Sequence, residues 1–154
     1  MGRNYRYSKR VVAVGITTTV GSRKITFKSQ AELSFAEHLE FLRESGEIQY
    51  WSYEPHGSTF YFERIRRGVR SYKTDFLVVT NSREVQYYEI KGYLDSRSVT
   101  KLKRMRKYYP QIRIVLVMMR DEKRQREVVD AIRPFVYAVC YLDKVLARYR
   151  GSIK

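Results

Sequence analysis

The sequence predicts an α/β fold with a mixed central β-sheet flanked by helices, and three observations carry that prediction. Tyr72 to Gly92 holds two apolar runs rich in Val, Tyr, Phe and Ile on either side of Thr80-Asn81-Ser82-Arg83-Glu84. That stretch has the chemistry and length of a hairpin turn, so the segment reads as two antiparallel strands. A helix-patterned segment from Asp95 or Ser96 to Tyr109 then leads, past Pro110, into the nearly continuous apolar run Ile112 to Met119, a strand of the kind buried inside a sheet. Strand, helix and strand in that order imply a parallel pair beside the antiparallel one. Finally, Ser29 to Ser45 is an amphipathic helix closed by Gly46.

Each element has its own signal, taken from the N-terminus. Residues 1–28 read as a basic arm (Arg3, Arg6, Lys9 and Arg10) followed by a hairpin, Val11 to Val20 and Arg23 to Phe27 around Gly21-Ser22. Residues 29–120 form the core. In its first helix, Leu33, Phe35, Ala36, Leu39 and Leu42 make one apolar stripe, with Glu37 and Glu44 well outside it and Glu40 at its margin. Glu32 falls in the middle of that stripe. Two readings of it are open: it closes a capping box with Ser29, or it is an acid turned toward the core, which requires a partner.

Glu47 to Tyr53 and Thr59 to Ile65 read as two more strands, bridged by Glu54-Pro55-His56-Gly57-Ser58. Trp51 and Tyr53 are expected to pack, and His56 to be an ordinary loop residue. Arg64, Arg66, Arg67 and Arg70 crowd the next loop, just before the Asp75 strand. In the helix 95–109, Val99, Leu102, Met105 and Tyr109 mark the buried stripe. The rest carries Arg97, Lys101, Lys103, Arg104, Arg106 and Lys107 with no acid among them, a surface suited to phosphates. Residues 121–154 read as a C-terminal α/β extension, either part of the same domain or a subunit contact. Its expected elements are a helix 123–132, a break at Pro134, a strand Phe135 to Cys140 and a helix Asp143 to Tyr149.

The chemistry gathers in the central hairpin. With the hairpin symmetric about Ser82, Val79 faces Val85, Leu77 faces Tyr87, and Asp75 faces Glu89. Lys91 stays on the Glu89 face because side chains alternate along a strand. Two opposed carboxylates destabilise a sheet unless a cation lies between them. A salt-bridge ladder with Lys91 meets that need in part, and a divalent metal meets it better. All-oxygen ligands of this kind suit Mg²⁺ or Mn²⁺ and not zinc.

Composition narrows the partner. The formal charge is +15, from 31 Lys and Arg against 16 Asp and Glu, and 14 Tyr and 7 Phe are interleaved with it, which suits nucleic acid better than a membrane surface. The single cysteine, Cys140, excludes an internal disulfide and a Cys-based zinc site. No apolar run reaches membrane-spanning length and the N-terminus lacks a signal-peptide core, so a cytosolic protein without a membrane partner is expected.

An acid in the first helix, Asp at a strand, then Glu-Ile-Lys on the next strand with a helix behind it resembles the PD-(D/E)XK nuclease superfamily. Here the elements are Glu32, Asp75 and Glu89-Ile90-Lys91. Phe27-Lys28-Ser29-Gln30-Ala31-Glu32, Thr74-Asp75-Phe76, Glu89-Ile90-Lys91-Gly92 and Tyr109-Pro110-Gln111-Ile112-Arg113-Ile114-Val115 are similar in order and spacing to the phage endonuclease I family of Holliday-junction resolvases. The stretch from Phe27 to Met118 also resembles a family of small phage proteins with this motif, and a related pattern occurs in the endonuclease subunit of some transposition systems. Thr74 stands where the superfamily motif has Pro.

The resemblance implies a restriction-endonuclease-like core and a Mg²⁺-dependent endodeoxyribonuclease, with Mn²⁺ as a substitute metal. It implies that Asp75, Glu89 and the backbone carbonyl of Ile90 hold one metal, and that Glu32 helps hold a second or orients its water. Lys91 would position the attacking water or help deprotonate it. The implied partner is DNA, branched or junction DNA first, contacted by Arg64, Arg66, Arg67, Arg70, Arg97, Lys101, Lys103, Arg104 and Lys107. The implied assembly is a homodimer in the cytoplasm (of the host, for a phage-encoded chain). The alternatives are a nicking or end-processing nuclease and an inactive nucleic-acid-binding protein on the same scaffold.

Overall fold

The computed structural model describes residues 15–152. The expected basic arm and residues 11–14 of the first expected strand lie outside them. The described chain forms a five-stranded mixed sheet with helices on both faces, as the strand and helix signals predict.

The first hairpin is β1 (Ile16–Val20) and β2 (Arg23–Phe27), antiparallel about a turn at which Gly21 has φ +61°. It stays outside the main sheet. Helix α1 (Gln30–Glu44) follows, with the Ser29 hydroxyl capping the Glu32 N–H at 3.2 Å. The main sheet is built from β3 (Ile48–Tyr53), β6 (Phe76–Thr80), β7 (Val85–Lys91), β8 (Arg113–Met118) and β9 (Ala138–Tyr141), side by side in that order. A second small hairpin, β4 (Thr59–Tyr61) with β5 (Ser71–Lys73), precedes β6.

The central hairpin has the expected register: Leu77 pairs with Tyr87 and Val79 with Val85. Helix α2 (Ser96–Tyr108), capped by the Asp95 carboxylate on Ser98 N–H at 2.7 Å, carries the chain over to β8, which runs parallel to β7. Five of the six β8 residues are buried, because the strand has a neighbour on each side and helices on each face.

Five expectations are corrected. The strand expected over Thr59 to Ile65 is extended only over Thr59–Tyr61, which pairs with β5. The run Tyr72 to Val79 is not one strand. The chain leaves the small hairpin at Lys73 and joins the main sheet at Phe76, so Thr74 and Asp75 lie at the changeover. In the C-terminal part, Lys123–Gln125 is a 3-10 turn leading into helix α3 (Arg126–Ile132), and a second 3-10 turn at Arg133–Phe135 delays the last strand to Ala138. Pro134 supplies no N–H for an extended ladder, which is consistent with a tight turn at that point. Helix α4 then runs over Leu142–Ser152, longer than expected.

Two cores result, one on each face of the sheet. Val20, Phe27, Leu33, Phe35, Ala36, Leu39, Trp51, Phe76, Val78 and Leu142 pack the face that carries the first hairpin, α1 and α4. Phe62, Val69, Tyr72, Leu102, Met105, Leu116, Val129 and Ile132 pack the face that carries the second hairpin, α2 and α3. Residues 121–152 therefore complete the same sheet and both cores. Truncating a fully buried residue such as Leu102 or Leu116 costs about 2–5 kcal/mol. Among the described residues, no helix is long and apolar enough to cross a membrane.

Glu40 sits deeper than the helical wheel suggests, at 7% exposure. Its carboxylate accepts from Trp51 Nε1 at 2.8 Å and from Arg43 at 2.7 and 2.9 Å. Arg23 adds an ion pair at 3.8 Å, stacks at 3.9 Å on the Trp51 ring and donates to the Trp51 carbonyl at 2.7 Å. This network ties the first hairpin to α1 and β3, and a side chain at Gly21 would collide with it, since a Cβ there falls 2.2 Å from Glu40 Oε1.

Candidate active site

β6 and β7 put a pair of acids at one end of the sheet. Alternation along β7 places Tyr87 in the α2-side core and Tyr88 and Ile90 in the α1-side core, so Glu89 and Lys91 project toward α2. Asp75 lies one residue before the ladder, whose last pair is Phe76 with Tyr88. Its N–H donates to the Tyr88 carbonyl at 3.1 Å, and its Oδ2 accepts from Ile90 N–H at 2.8 Å. A side chain thus takes the place of a backbone acceptor where the strand pairing ends. The juxtaposition of Asp75, Glu89 and Lys91 expected from the hairpin register is present.

The electrostatics are those of a site short of positive charge. Glu89 is 4% exposed. Its Oε1 meets Lys91 Nζ at 3.0 Å, while its Oε2 has no hydrogen-bond partner. Burial pushes the Glu89 carboxyl above its usual range, against the opposing pull of Lys91, Tyr72 and Lys101. Burial, and then the Glu89 and Glu32 charges, push Asp75 up to about 7, although the Ile90 N–H and Lys91 oppose them. Burial also disfavours the Lys91 ammonium, but Glu89, followed by Asp75 and Asp95, more than offsets this and holds its pKa above the ordinary lysine value. Lys91 is therefore a fixed cation at neutral pH. In the metal-free protein this environment suits it to orienting and charge compensation.

Glu32 comes to the site from α1, on the other face of the sheet. The capping box is only half formed: Ser29 caps Glu32 N–H, but Glu32 Oε2 accepts from Lys28 N–H at 2.9 Å instead of from Ser29. The same oxygen accepts from the Tyr53 hydroxyl at 2.6 Å. The core-facing acid thus has its partner, and burial followed by this bond pushes the Tyr53 phenol far above its ordinary pKa. Among the described residues no three His, Cys, Asp or Glu side chains converge into a ready-made metal cage. Asp75 and Glu89 are a pair, and Glu32 reaches Asp75 through its charge.

That donor set still fits a Mg²⁺-type cation, which is commonly held by one or two carboxylates and keeps several waters. The orphaned Glu89 Oε2 and the raised carboxyl pKa values are what a binding position for a cation looks like when considered from the protein side. The Ile90 peptide lies between the two β7 side chains, with its N–H held by Asp75.

The basic residues divide into two groups. Arg64, Arg66, Arg67 and Arg70 are exposed in the loop of the second hairpin, with Arg64 at φ +64° and Gly68 at φ +80°. The loop is anchored by buried Val69, by Phe62 N–H on the Arg70 carbonyl at 2.8 Å, and by Arg104 donating to the Val69 carbonyl. Between this loop and α2 runs a cleft of about 430 Å³ lined by Gly68, Val69, Ser96, Arg97, Thr100 and Arg104. Lys101 belongs to the same side of the helix and its charge reaches Glu89. Lys103 does not join them, since it lies over Phe135 at 5.4 Å, while Lys107 lies over its neighbour Tyr108 at 5.5 Å. The basic surface expected along the whole helix is thus split by the helical period, with Arg97, Lys101 and Arg104 turned to the site side.

Four residues near the site carried no signal as isolated letters. Tyr53 and Lys28 hold Glu32, as above. Glu54, at φ +41°, donates its N–H to the Asp75 carbonyl at 2.7 Å, and its carboxylate pairs with Lys28 and, at 3.7 Å, with Lys73. Tyr72 is buried beside Glu89. The position of Glu54 at a strand end before Pro55 is the one sequence hint, since strand ends commonly carry site residues. No protein-family model, curated protein or solved structure matches the chain.

Proposed function

We propose that this protein is a metal-dependent DNA endonuclease that hydrolyses phosphodiester bonds, with branched DNA as its preferred substrate. The observation that carries the reading is the buried Asp75–Glu89 pair with Lys91 on Glu89 Oε1, an arrangement with one fixed cation for two acids. The sequence resemblance to PD-(D/E)XK nucleases, and to junction resolvases among them, which these same residues carry, supports the reading.

Asp75, Glu89 and the Ile90 carbonyl would hold Mg²⁺ or Mn²⁺. The bound ion would supply Lewis-acid polarisation of the scissile phosphate and neutralise charge that develops on it. The residues of the chain do the rest. Lys91 orients the attacking water and offsets negative charge beside the carboxylates. Glu32, locked by Tyr53 and Lys28, orients water from the α1 side. Arg66, Arg67 and Arg70 on the hairpin loop, with Arg97, Lys101 and Arg104 across the cleft, grip phosphates flanking the one being cut. A two-fold dimer would present two such sites to two strands of a junction.

The test is cleavage of a labelled immobile four-way junction beside linear duplex, single-strand and flap DNA, with Mg²⁺ or with EDTA, and with Asp75→Ala in parallel. Paired cuts confined to the junction, lost in EDTA and in the variant, are expected. Metal-dependent cutting of linear or flap DNA keeps the nuclease and discards the resolvase. Tight binding without metal-dependent cutting of any substrate replaces this reading with that of an inactive nucleic-acid-binding protein.

A further inference from the structure

Four buried side-chain nitrogen or oxygen atoms among the described residues lack a hydrogen-bond partner, and three belong to one neighbourhood: Tyr72 Oη, Thr74 Oγ1 and Glu89 Oε2. Tyr72 and Thr74 lie on the segment that delivers Asp75 to the site, and Glu89 is the acid that Asp75 faces. Native proteins satisfy nearly all such groups, so an unsatisfied cluster needs a cause. Tyr72 is the telling member. Its ring is 2% exposed and packs in the α2-side core with Leu102 and Met105. Phenylalanine would fill that space without burying a hydroxyl. Packing alone therefore does not explain a tyrosine at this position.

The hydroxyl lies against the Glu89 carboxylate as a donor beside an acceptor, although neither Tyr72 Oη nor Glu89 Oε2 has a hydrogen-bond partner of regular geometry. The other oxygen of Glu89 is already fixed by Lys91 at 3.0 Å. A carboxylate oxygen can accept a hydrogen bond and bind a cation at once, because it has two lone pairs. We infer that Tyr72 is a positioning residue for the proposed metal site: its hydroxyl donates to Glu89 Oε2 and fixes the orientation in which that carboxylate faces a bound cation. The inference rests on the nuclease reading and deepens it. It adds a residue outside the acid and lysine motif, contributed by the strand that begins at the arginine loop.

The experiment compares wild type, Tyr72→Phe and Asp75→Ala by two readouts, neither of which is activity. One is Mn²⁺ binding, by calorimetric titration and by the electron paramagnetic resonance signal of free Mn²⁺. The other is thermal stability of the metal-free protein in EDTA. For Tyr72→Phe the expected result is a metal-free protein that still folds, with a Mn²⁺ dissociation constant raised about 10–100-fold. Unchanged Mn²⁺ affinity in Tyr72→Phe, with wild-type binding abolished in Asp75→Ala, overturns this inference and leaves the nuclease reading standing. A Tyr72→Phe protein that loses metal-free stability but keeps wild-type Mn²⁺ affinity makes the hydroxyl a structural partner of Glu89 only and also overturns it. Wild-type protein that binds no Mn²⁺ overturns the nuclease reading and this inference with it.

Discussion

Asp75→Asn should make the metal-free protein more stable, an outcome opposite to that of breaking an ordinary salt bridge. The Asp75 carboxyl titrates near 3.8 when unperturbed and at about 7 here, chiefly because it is buried and next because Glu89 is beside it. Between those two values the folded state binds more protons than the unfolded state. Stability therefore falls as pH rises from about 4 to about 7, and stays lowered above that. A difference of roughly three pKa units at 1.36 kcal/mol each gives an upper limit of about 4 kcal/mol. Residual solvent screening and the shared titration with Glu89 reduce this to about 2 kcal/mol. Asparagine keeps an oxygen for the Ile90 N–H and removes the charge. The expected gain at pH 8 is thus about 2 kcal/mol, or about 4–8 °C in melting temperature for a chain of this size, and close to nothing at pH 4. The assay is thermal denaturation of both proteins at the two pH values, in EDTA and in excess Mg²⁺. Mg²⁺ should raise the melting temperature of wild type at pH 8 and leave that of Asp75→Asn unchanged. An Asp75→Asn protein less stable than wild type at pH 8 would refute this reasoning, because the carboxylate would then be a structural partner of Lys91.

Lys91→Met should abolish cleavage and cost the metal-free protein about 1–3 kcal/mol at pH 8, read by urea unfolding, because two buried acids lose their cation. Since the folded-state pKa of Lys91 is raised, its stabilising contribution is complete below the ordinary lysine pKa and disappears only as pH climbs through the raised value. Glu40→Ala should cost about 1–3 kcal/mol, since it leaves the buried Trp51 Nε1 without an acceptor, while metal-binding affinity per folded molecule stays at the wild-type level. Arg66→Ala and Arg70→Ala should each lower the slope of log affinity against log salt by about 1 in DNA-binding titrations without changing the melting temperature. Lys103→Ala, whose ammonium lies over Phe135 on the other side of α2, should have a smaller effect.

The pairing of the central hairpin was legible because it is local. A short turn fixes which residues face each other, and a side-chain period of two carries Asp75, Glu89 and Lys91 onto one end of the sheet. The parallel β7–α2–β8 unit was legible for a similar reason, since a helix between two strands leaves few connections open. What remained hidden depends on partners distant along the chain. The run from Tyr72 to Val79 continues without a break in local pattern, yet it serves two sheets, because β4 claims Ser71–Lys73 while β3 and β7 claim Phe76–Thr80. Glu40 reads as marginal on a helical wheel and is buried only because Arg23 and Trp51, from two other elements, close over it. The basic residues of α2 read as one surface until the arginine loop and the turn at Arg133–Phe135 take opposite sides of the helix. Periodicity along the chain determines which way neighbouring side chains point. Which of them lose their water, and so which charges are perturbed, is decided by what the rest of the chain lays over them.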